Sequence, residues 1–324
     1  MEGRYTLLER LKAIADFSVR SEVYYDDRDA VFTVSHRIFL EGVDFDLTYT
    51  PLKHLGYKTV LAALGPIYAG GSMPLSLSVR LALSQRFTAE QSEEIWRGIA
   101  AAVREHKITN IDLELLPSVT GLAISLVCEG KIDREGLNRK PVCTSGDLLC
   151  VNGSLGAAYM GLQILEREKI LFGQSSVQPQ LDNYKYPLQA YLSPYIDLEL
   201  LGALDKSQIV PSAGEFIVNG LADAVKSLCL RHHLGAKIFM NRIAIAAHTS
   251  QVAEEFHIDP MTAALNGGDD YIFLFAVPLE KYDDLVKEAP QLDIVGHLCD
   301  PASGTLFVTS DGTELELKAQ GWSE

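Results

Sequence analysis

Over residues 131–146 the apolar periodicity that runs through the rest of the chain breaks off, and charges gather around Asn138, Pro141, Thr144 and Ser145. A polar interval without a helical or strand period is where few contacts cross, and so where one core ends and another begins. With 324 residues, 47% of them hydrophobic, the chain has material for a sizeable core on each side. The expectation is two domains, residues 1–140 and residues 141–324.

On the first side Leu7, Leu8, Leu11, Ile14 and Ala15 share one helical face, and β-type runs follow at 30–34 and 37–43. Helices are predicted over about 51–64 and 88–105, the second opened by a Thr88/Gln91 capping box, and a strand over 121–129. On the second side a strand at 148–151 runs into the turn Asn152-Gly153-Ser154, a helix over 155–166 and a polar loop over 174–184. Helices around 196–204 and 221–233, with strands at 237–239, 271–277 and 306–309, complete an α/β pattern without an internal repeat.

Composition removes several function classes. The most apolar runs, 60–69 and 271–279, are far shorter than the roughly 20 residues a membrane span needs, and both carry a proline. The N-terminal residues mix charges with leucines in the manner of an amphipathic helix, not of a signal peptide, so a cytoplasmic location is expected. Cys128, Cys143, Cys150, Cys229 and Cys299 lack the close pairing of a zinc site or a disulfide framework. A formal charge of −15, from 43 acidic and 28 basic residues, repels nucleic acid phosphates and anionic lipid heads. Small molecules and other proteins remain as partners.

The run Leu40-Glu41-Gly42-Val43-Asp44-Phe45-Asp46-Leu47, followed by Pro51-Leu52-Lys53-His54-Leu55-Gly56-Tyr57-Lys58, resembles the segment Glu-Gly-Val-His-Phe-Asp-Leu and its sequel in thiamine-monophosphate kinases. The same family order continues in Thr120-Gly121-Leu122-Ala123-Ile124-Ser125, in Leu155-Gly156-Ala157-Ala158-Tyr159-Met160-Gly161-Leu162, in Leu265-Asn266-Gly267-Gly268-Asp269-Asp270-Tyr271, and in Lys318-Ala319-Gln320-Gly321-Trp322. The resemblance covers nearly the whole chain. It implies a two-domain PurM-like fold shared with aminoimidazole ribonucleotide synthetase, an α+β N-terminal domain that pairs with its twin into a homodimer and an α/β C-terminal domain. It also implies transfer of the γ-phosphoryl group of ATP to thiamine monophosphate, with several magnesium ions bridging the phosphates. That chemistry needs carboxylates to anchor the metal.

Measured against the family pattern, the carboxylates are thinned out. Arg28 stands at the second Asp of Gly-Asp-Asp-Ala-Ala-Val, flanked by Asp27 and Asp29; Arg37 replaces the Asp of Thr-Thr-Asp, and Pro66 that of Ser-Asp. Gly-Gly-Asp-Thr becomes Asp112-Leu113-Glu114-Leu115, which keeps one acid in Glu114, and Asp-Ile-Ser-Asp-Gly-Leu becomes Phe216-Ile217-Val218-Asn219-Gly220-Leu221. By the same resemblance the candidate nucleotide and metal region is Asp27, Asp29, Glu114 and Lys140 (or Arg139), and the candidate substrate contacts are Asp44, Asp269, Asp270 and Trp322. Each has a plain alternative: a solvated acidic loop at 26–29, and for Trp322 a packing plug in place of a stacking platform. His36, His232 and His233 have no partner at ligand spacing and read as surface or loop histidines.

Three functions follow as alternatives. The first is a thiamine-monophosphate-kinase-like dimer with little or no phosphotransfer, serving as a ligand-binding or regulatory scaffold. The second is an active kinase that holds magnesium through Asp26, Asp27, Asp29 and Glu114. The third is an interaction subunit that pairs with an active relative through its N-terminal domain.

Overall fold

The strand that leads into the Glu-Gly-Val segment, Ala30–Leu40, is continuous where the apolar pattern suggests two runs. Ser35 and Phe39 are buried while His36, Ile38 and Leu40 are exposed, the two-residue period of a half-covered sheet. The structure is a computed structural model that describes residues 23–26, 29–175 and 178–321. The helical face suggested at residues 7–15 lies outside the described residues.

The first unit contains β1 (Val23–Asp26), β2 (Ala30–Leu40), α1 (Leu52–Ala69), β3 (Met73–Leu83), α2 (Ala89–Glu105), β4 (Asn110–Pro117) and β5 (Ala123–Asp133). Its strands form one sheet in the order β1-β2-β5-β3-β4. The strand β5 lies antiparallel to both β2 and β3, and β4 joins the far edge parallel to β3. The sequence reading places no strand at β3 or β4. Met73–Leu83 alternates Leu with Ser and Arg, a legible period, whereas every residue of β4 is exposed and its leucines point to both faces.

Helix α1 is buried along almost its whole length, and α2 crosses it at two glycines. A Cβ on Gly98 would stand 1.9 Å from the Lys53 carbonyl oxygen, and one on Gly56 would stand 2.1 Å from that of Ile95. Only glycine lets the two backbones approach this closely. The capping box opens α2 from both sides, Thr88 Oγ1 accepting from Gln91 N–H and Gln91 Oε1 accepting from Thr88 N–H.

After α3 (Arg134–Arg139) and β6 (Leu148–Val151), the chain returns to the first unit with α4 (Ala157–Ser175) and α5 (Lys185–Leu192). The return is held by charge as well as packing. The buried Lys58 of α1 donates to the Tyr191 carbonyl and sits 3.8 Å over the Tyr191 ring, and His54, one turn earlier, lies 3.0 Å from the Leu192 carbonyl. Cationic and polar side chains thus meet the negative end of the α5 dipole.

The second unit is a seven-stranded sheet, built from β6 with β7 (Ala213–Ile217), β8 (Gly235–Phe239), β9 (Ile272–Val277), β10 (Asp293–Cys299), β11 (Thr305–Val308) and β12 (Glu314–Glu316). The order is β12-β11-β8-β10-β6-β9-β7, antiparallel except between β11 and β8. It is accompanied by α6 (Leu198–Lys206), α7 (Leu221–His232), α8 (Ala247–Glu255), α9 (Pro260–Asn266) and α10 (Tyr282–Glu288). Leu149, Val151, Leu221, Val225, Leu228, Ile238 and Leu274 centre its core. No described helix is long and apolar enough to cross a membrane.

Candidate functional site

The Glu-Gly-Val segment leaves β2 and folds back on itself. Gly42 takes a positive φ of 80°, Gly42 N–H donates to the Phe45 carbonyl, and Asp44 Oδ2 accepts the Leu40 N–H at 2.8 Å. Phe45 is buried beneath the turn. Glu41 bridges to the next motif: its Oε2 accepts Leu122 N–H at 2.7 Å and its Oε1 pairs with Arg86 at 3.1 Å. A Cβ at residue 121 would stand 2.5 Å from that carboxylate, and Gly121 holds a φ of 149° that residues with side chains rarely adopt.

The other end of the loop is tied to α4. Lys169 Nζ lies 2.7 Å from Asp46 Oδ2 and 3.5 Å from Glu166 Oε2, and Tyr49 donates to Glu166 Oε1. Burial works against the charge of Asp46, yet hydrogen bonds from Lys169 and from Thr48 bring its carboxyl down to about 2. Burial, reinforced by the bond to Glu166, pushes the Tyr49 hydroxyl well above the usual phenol range. Between the two ends lies a cavity of about 450 Å³ lined by Glu41, Gly42, Asp46, Leu47, Thr48 and Arg86.

In the second unit the turn Asn152-Gly153-Ser154-Leu155-Gly156 and the segment 266–271 are knitted together. Asp270 Oδ1 accepts Gly156 N–H at 2.9 Å, Asn152 Oδ1 accepts Phe273 N–H, and Asp269 N–H donates to the Val218 carbonyl. Gly153, Gly156, Gly220, Gly268, Asp269 and Tyr271 all have positive φ. A Cβ on Gly220 would stand 2.4 Å from the Leu265 carbonyl oxygen, so this junction also requires a bare backbone.

The described residues standing where the family resemblance expects carboxylates each have a structural partner. Pro66 sits inside α1 and brings no N–H, so the Ala62 carbonyl one turn earlier loses its helical donor. Arg37 Nε supplies one, at 3.3 Å. Glu114 lies on the outer face of the first sheet, 2.7 Å from Arg80 Nε, and Arg80 Nη1 reaches Asp112 at 2.5 Å. Hydrogen bonds from Ser78 and Arg80 hold the Asp112 carboxyl below its ordinary range. Phe216 is buried on β7 against Tyr271 and Phe273, and Asn219 Nδ2 donates to Asp223 Oδ2 at 3.2 Å.

The other sequence candidates fall as follows. Asp29 is exposed at the start of β2, and Lys140 is half-buried after α3. Asp27, Arg28 and Trp322 lie outside the described residues. Asp44 spends one oxygen on its own turn, and Asp270 spends one on the Gly156 turn. Sequence reasoning passed over Arg86, Glu166 and Lys169, because an ion pair between residues 46 and 169 leaves no local spacing signal. Among the described residues no group of three His, Cys, Asp or Glu side chains is arranged to hold a metal.

Residues 22–131 match the model of the AIR synthase related protein N-terminal domain. A thiamine-monophosphate kinase of Aquifex aeolicus is 25% identical over 332 residues, covering 99% of this chain and 97% of the relative. A putative hydrogenase expression/formation protein of Methanocaldococcus jannaschii is 23% identical over 294 residues, covering 89% of this chain and 82% of the relative. In structure, AaThiL complexed with AMPPCP and TMP superposes with a TM-score of 0.78 at 20% identity, covering 98% of this chain and 96% of that one. Escherichia coli HypE, a hydrogenase maturation protein, follows at 0.64 and 16%, covering 97% and 98%. These likenesses establish the fold.

Proposed function

We propose that this chain, which belongs to the thiamine-monophosphate kinase family of the PurM-like superfamily, binds a phosphorylated small molecule of the thiamine monophosphate kind and carries out little or no phosphotransfer. The observation that carries this reading is the Arg37–Pro66 pair. At two positions where the family resemblance expects magnesium ligands, the chain places a cation and an imino acid, and joins them through one helix carbonyl. A guanidinium cannot ligate magnesium. The Glu114 carboxylate is engaged by Arg80. The described residues therefore do not fit a magnesium cluster of the kind that stabilises a transferring phosphoryl group, and no step is routed through one. Losing a single well-placed electrostatic contact costs about 2.7–4 kcal/mol of transition-state stabilisation, so several losses together leave little rate.

The loop between β2 and α1 supports retained binding. Glu41, Gly42 and Asp46 remain close to the family pattern and are fixed by Leu122, Arg86 and Lys169 around an open cavity. A dimer formed through the first sheet belongs to the same proposal. The edge strand β4 is exposed throughout, with Ile111, Leu113, Leu115 and Leu116 uncovered, and an apolar edge of this kind calls for a partner strand.

Calorimetry tests the reading. Titration with magnesium and a non-hydrolysable ATP analogue should give weak or no heat, and titration with thiamine monophosphate should give saturable binding. Turnover of thiamine monophosphate at an ordinary kinase rate would overturn the proposal in favour of an active enzyme with rearranged metal ligands. A monomeric mass in light scattering at micromolar concentration would remove the dimer. A mass that doubles only when an active relative is added would make the chain an interaction subunit.

A further inference from the structure

We infer that the cavity beside Gly42 is an oxyanion site that takes the phosphate group of a small molecule directly on Arg86, without a bridging metal. The inference rests on the reading of this loop as a ligand pocket, and names the group the pocket recognises. The cavity is of ligand size, and its lining divides into groups that are spent and groups that are open. Its two carboxylates are spent. Glu41 takes Leu122 N–H on one oxygen and Arg86 on the other. Asp46 takes Lys169 on one oxygen and Thr48 N–H on the other.

The donors are open. The Arg86 side chain is 68% exposed and bonds Glu41 through Nη2, leaving Nε and Nη1 without a partner among the described residues. The Leu47 N–H likewise donates to no described residue. A pocket whose acceptors are satisfied and whose donors are not selects an anion. A guanidinium held by one Nη against Glu41 still presents the edge that grips a phosphate through two parallel hydrogen bonds. Fixing Arg86 on Glu41, and Glu41 on Leu122, also lowers the entropy lost when the ligand arrives.

The test is a calorimetric series in EDTA with thiamine monophosphate, inorganic phosphate and unphosphorylated thiamine. Thiamine monophosphate should bind saturably in EDTA, at least 10-fold more tightly than thiamine, and Arg86→Gln should weaken it at least 10-fold. Arg86→Lys, which keeps charge but not the fork, should recover only part of the loss. Arg97→Gln, which removes an exposed arginine paired with Glu93 on α2, should leave binding unchanged. Inorganic phosphate binding with the same Arg86 dependence would identify the site as one for free phosphate as well as esters. Binding that vanishes in EDTA, thiamine binding as tightly as its phosphate, no saturable binding by the parent, or an Arg86→Gln variant that binds like the parent would each overturn the inference. Phosphotransfer by the parent would sink the low-activity proposal while leaving this one standing. An Arg86→Gln variant that binds like the parent would sink this one while leaving that reading standing, and only absent binding by the parent would remove both.

Discussion

The two places where the family resemblance expects acids and this chain carries other residues are held in opposite ways. In the first unit Arg37 and Pro66 form a polar pair in which each explains the other: the proline orphans a carbonyl and the arginine satisfies it. In the second unit Phe216 joins an aromatic cluster with Tyr271 and Phe273, and a neighbouring position becomes Asn219, bonded to Asp223. The first replacement is held by a hydrogen bond between elements, the second by burial. Placing acids there therefore meets different obstacles. A buried aromatic resists because its removal leaves a cavity, whereas the Arg37–Pro66 pair resists only if one member changes without the other.

The largest effect is expected at Phe216. Phe216→Asp opens a cavity costing about 3–5 kcal/mol before the cost of burying a carboxylate is counted. Urea denaturation of the variant should show at least that loss. A loss under about 1 kcal/mol would mean that the aromatic cluster is not what holds this position.

Next comes the helix crossing that underlies the first unit. Gly98→Ala would push a methyl against the Lys53 carbonyl, and overpacking of this kind costs about 1–3 kcal/mol or more. An unchanged midpoint would show that the α1–α2 crossing gives way to accommodate the added methyl group.

The Arg37–Pro66 pair is tested by a double-mutant cycle. Arg37→Ala should cost about 1–3 kcal/mol by leaving the Ala62 carbonyl without its donor. With Pro66→Ala in place, a backbone N–H returns to the helix and the same arginine substitution should cost under about 0.5 kcal/mol. Additive losses would break the contrast drawn above, because each residue would then act alone.

Acid titration gives a smaller effect. His106 is buried with Nδ1 on the Tyr68 hydroxyl at 3.1 Å, and burial lowers its pKa. As pH falls below about 6.5 the unfolded chain takes up a proton that folded His106 resists, so stability should decline, and His106→Gln should flatten that decline. Asp46 has its folded pKa lowered to about 2, so its contribution is present above the unfolded value near 3.9 and is lost as pH falls toward 2. The smallest effect is expected from Asn219→Asp, which exchanges a hydrogen bond to Asp223 for repulsion. It should cost about 1 kcal/mol or less in 0.15 M salt, and less again at higher salt.

Short-range features were legible in the sequence. The Thr88/Gln91 capping box needs only three residues of spacing, and the chain-long motif order was enough for the two-domain PurM-like fold. That Arg37, Pro66, Phe216 and Asn219 stand where the family resemblance expects acids is an expectation of the sequence alone, drawn from the motifs around them. The partners these residues find could not be read. The Arg37 bond to Ala62, the Arg80 bridge between Asp112 and Glu114, and the Lys169 clamp on Asp46 join residues far apart in sequence. Strand β4 escaped for a related reason: its leucines divide between two faces, so only its pairing with β3 makes it a strand. The return of α4 and α5 to the first unit depends on Lys58 and His54 finding the end of α5. Local pattern encodes propensity and motif identity. Which donor meets which acceptor is decided when distant segments pack, because a hydrogen bond depends on position in space and leaves no period along the chain.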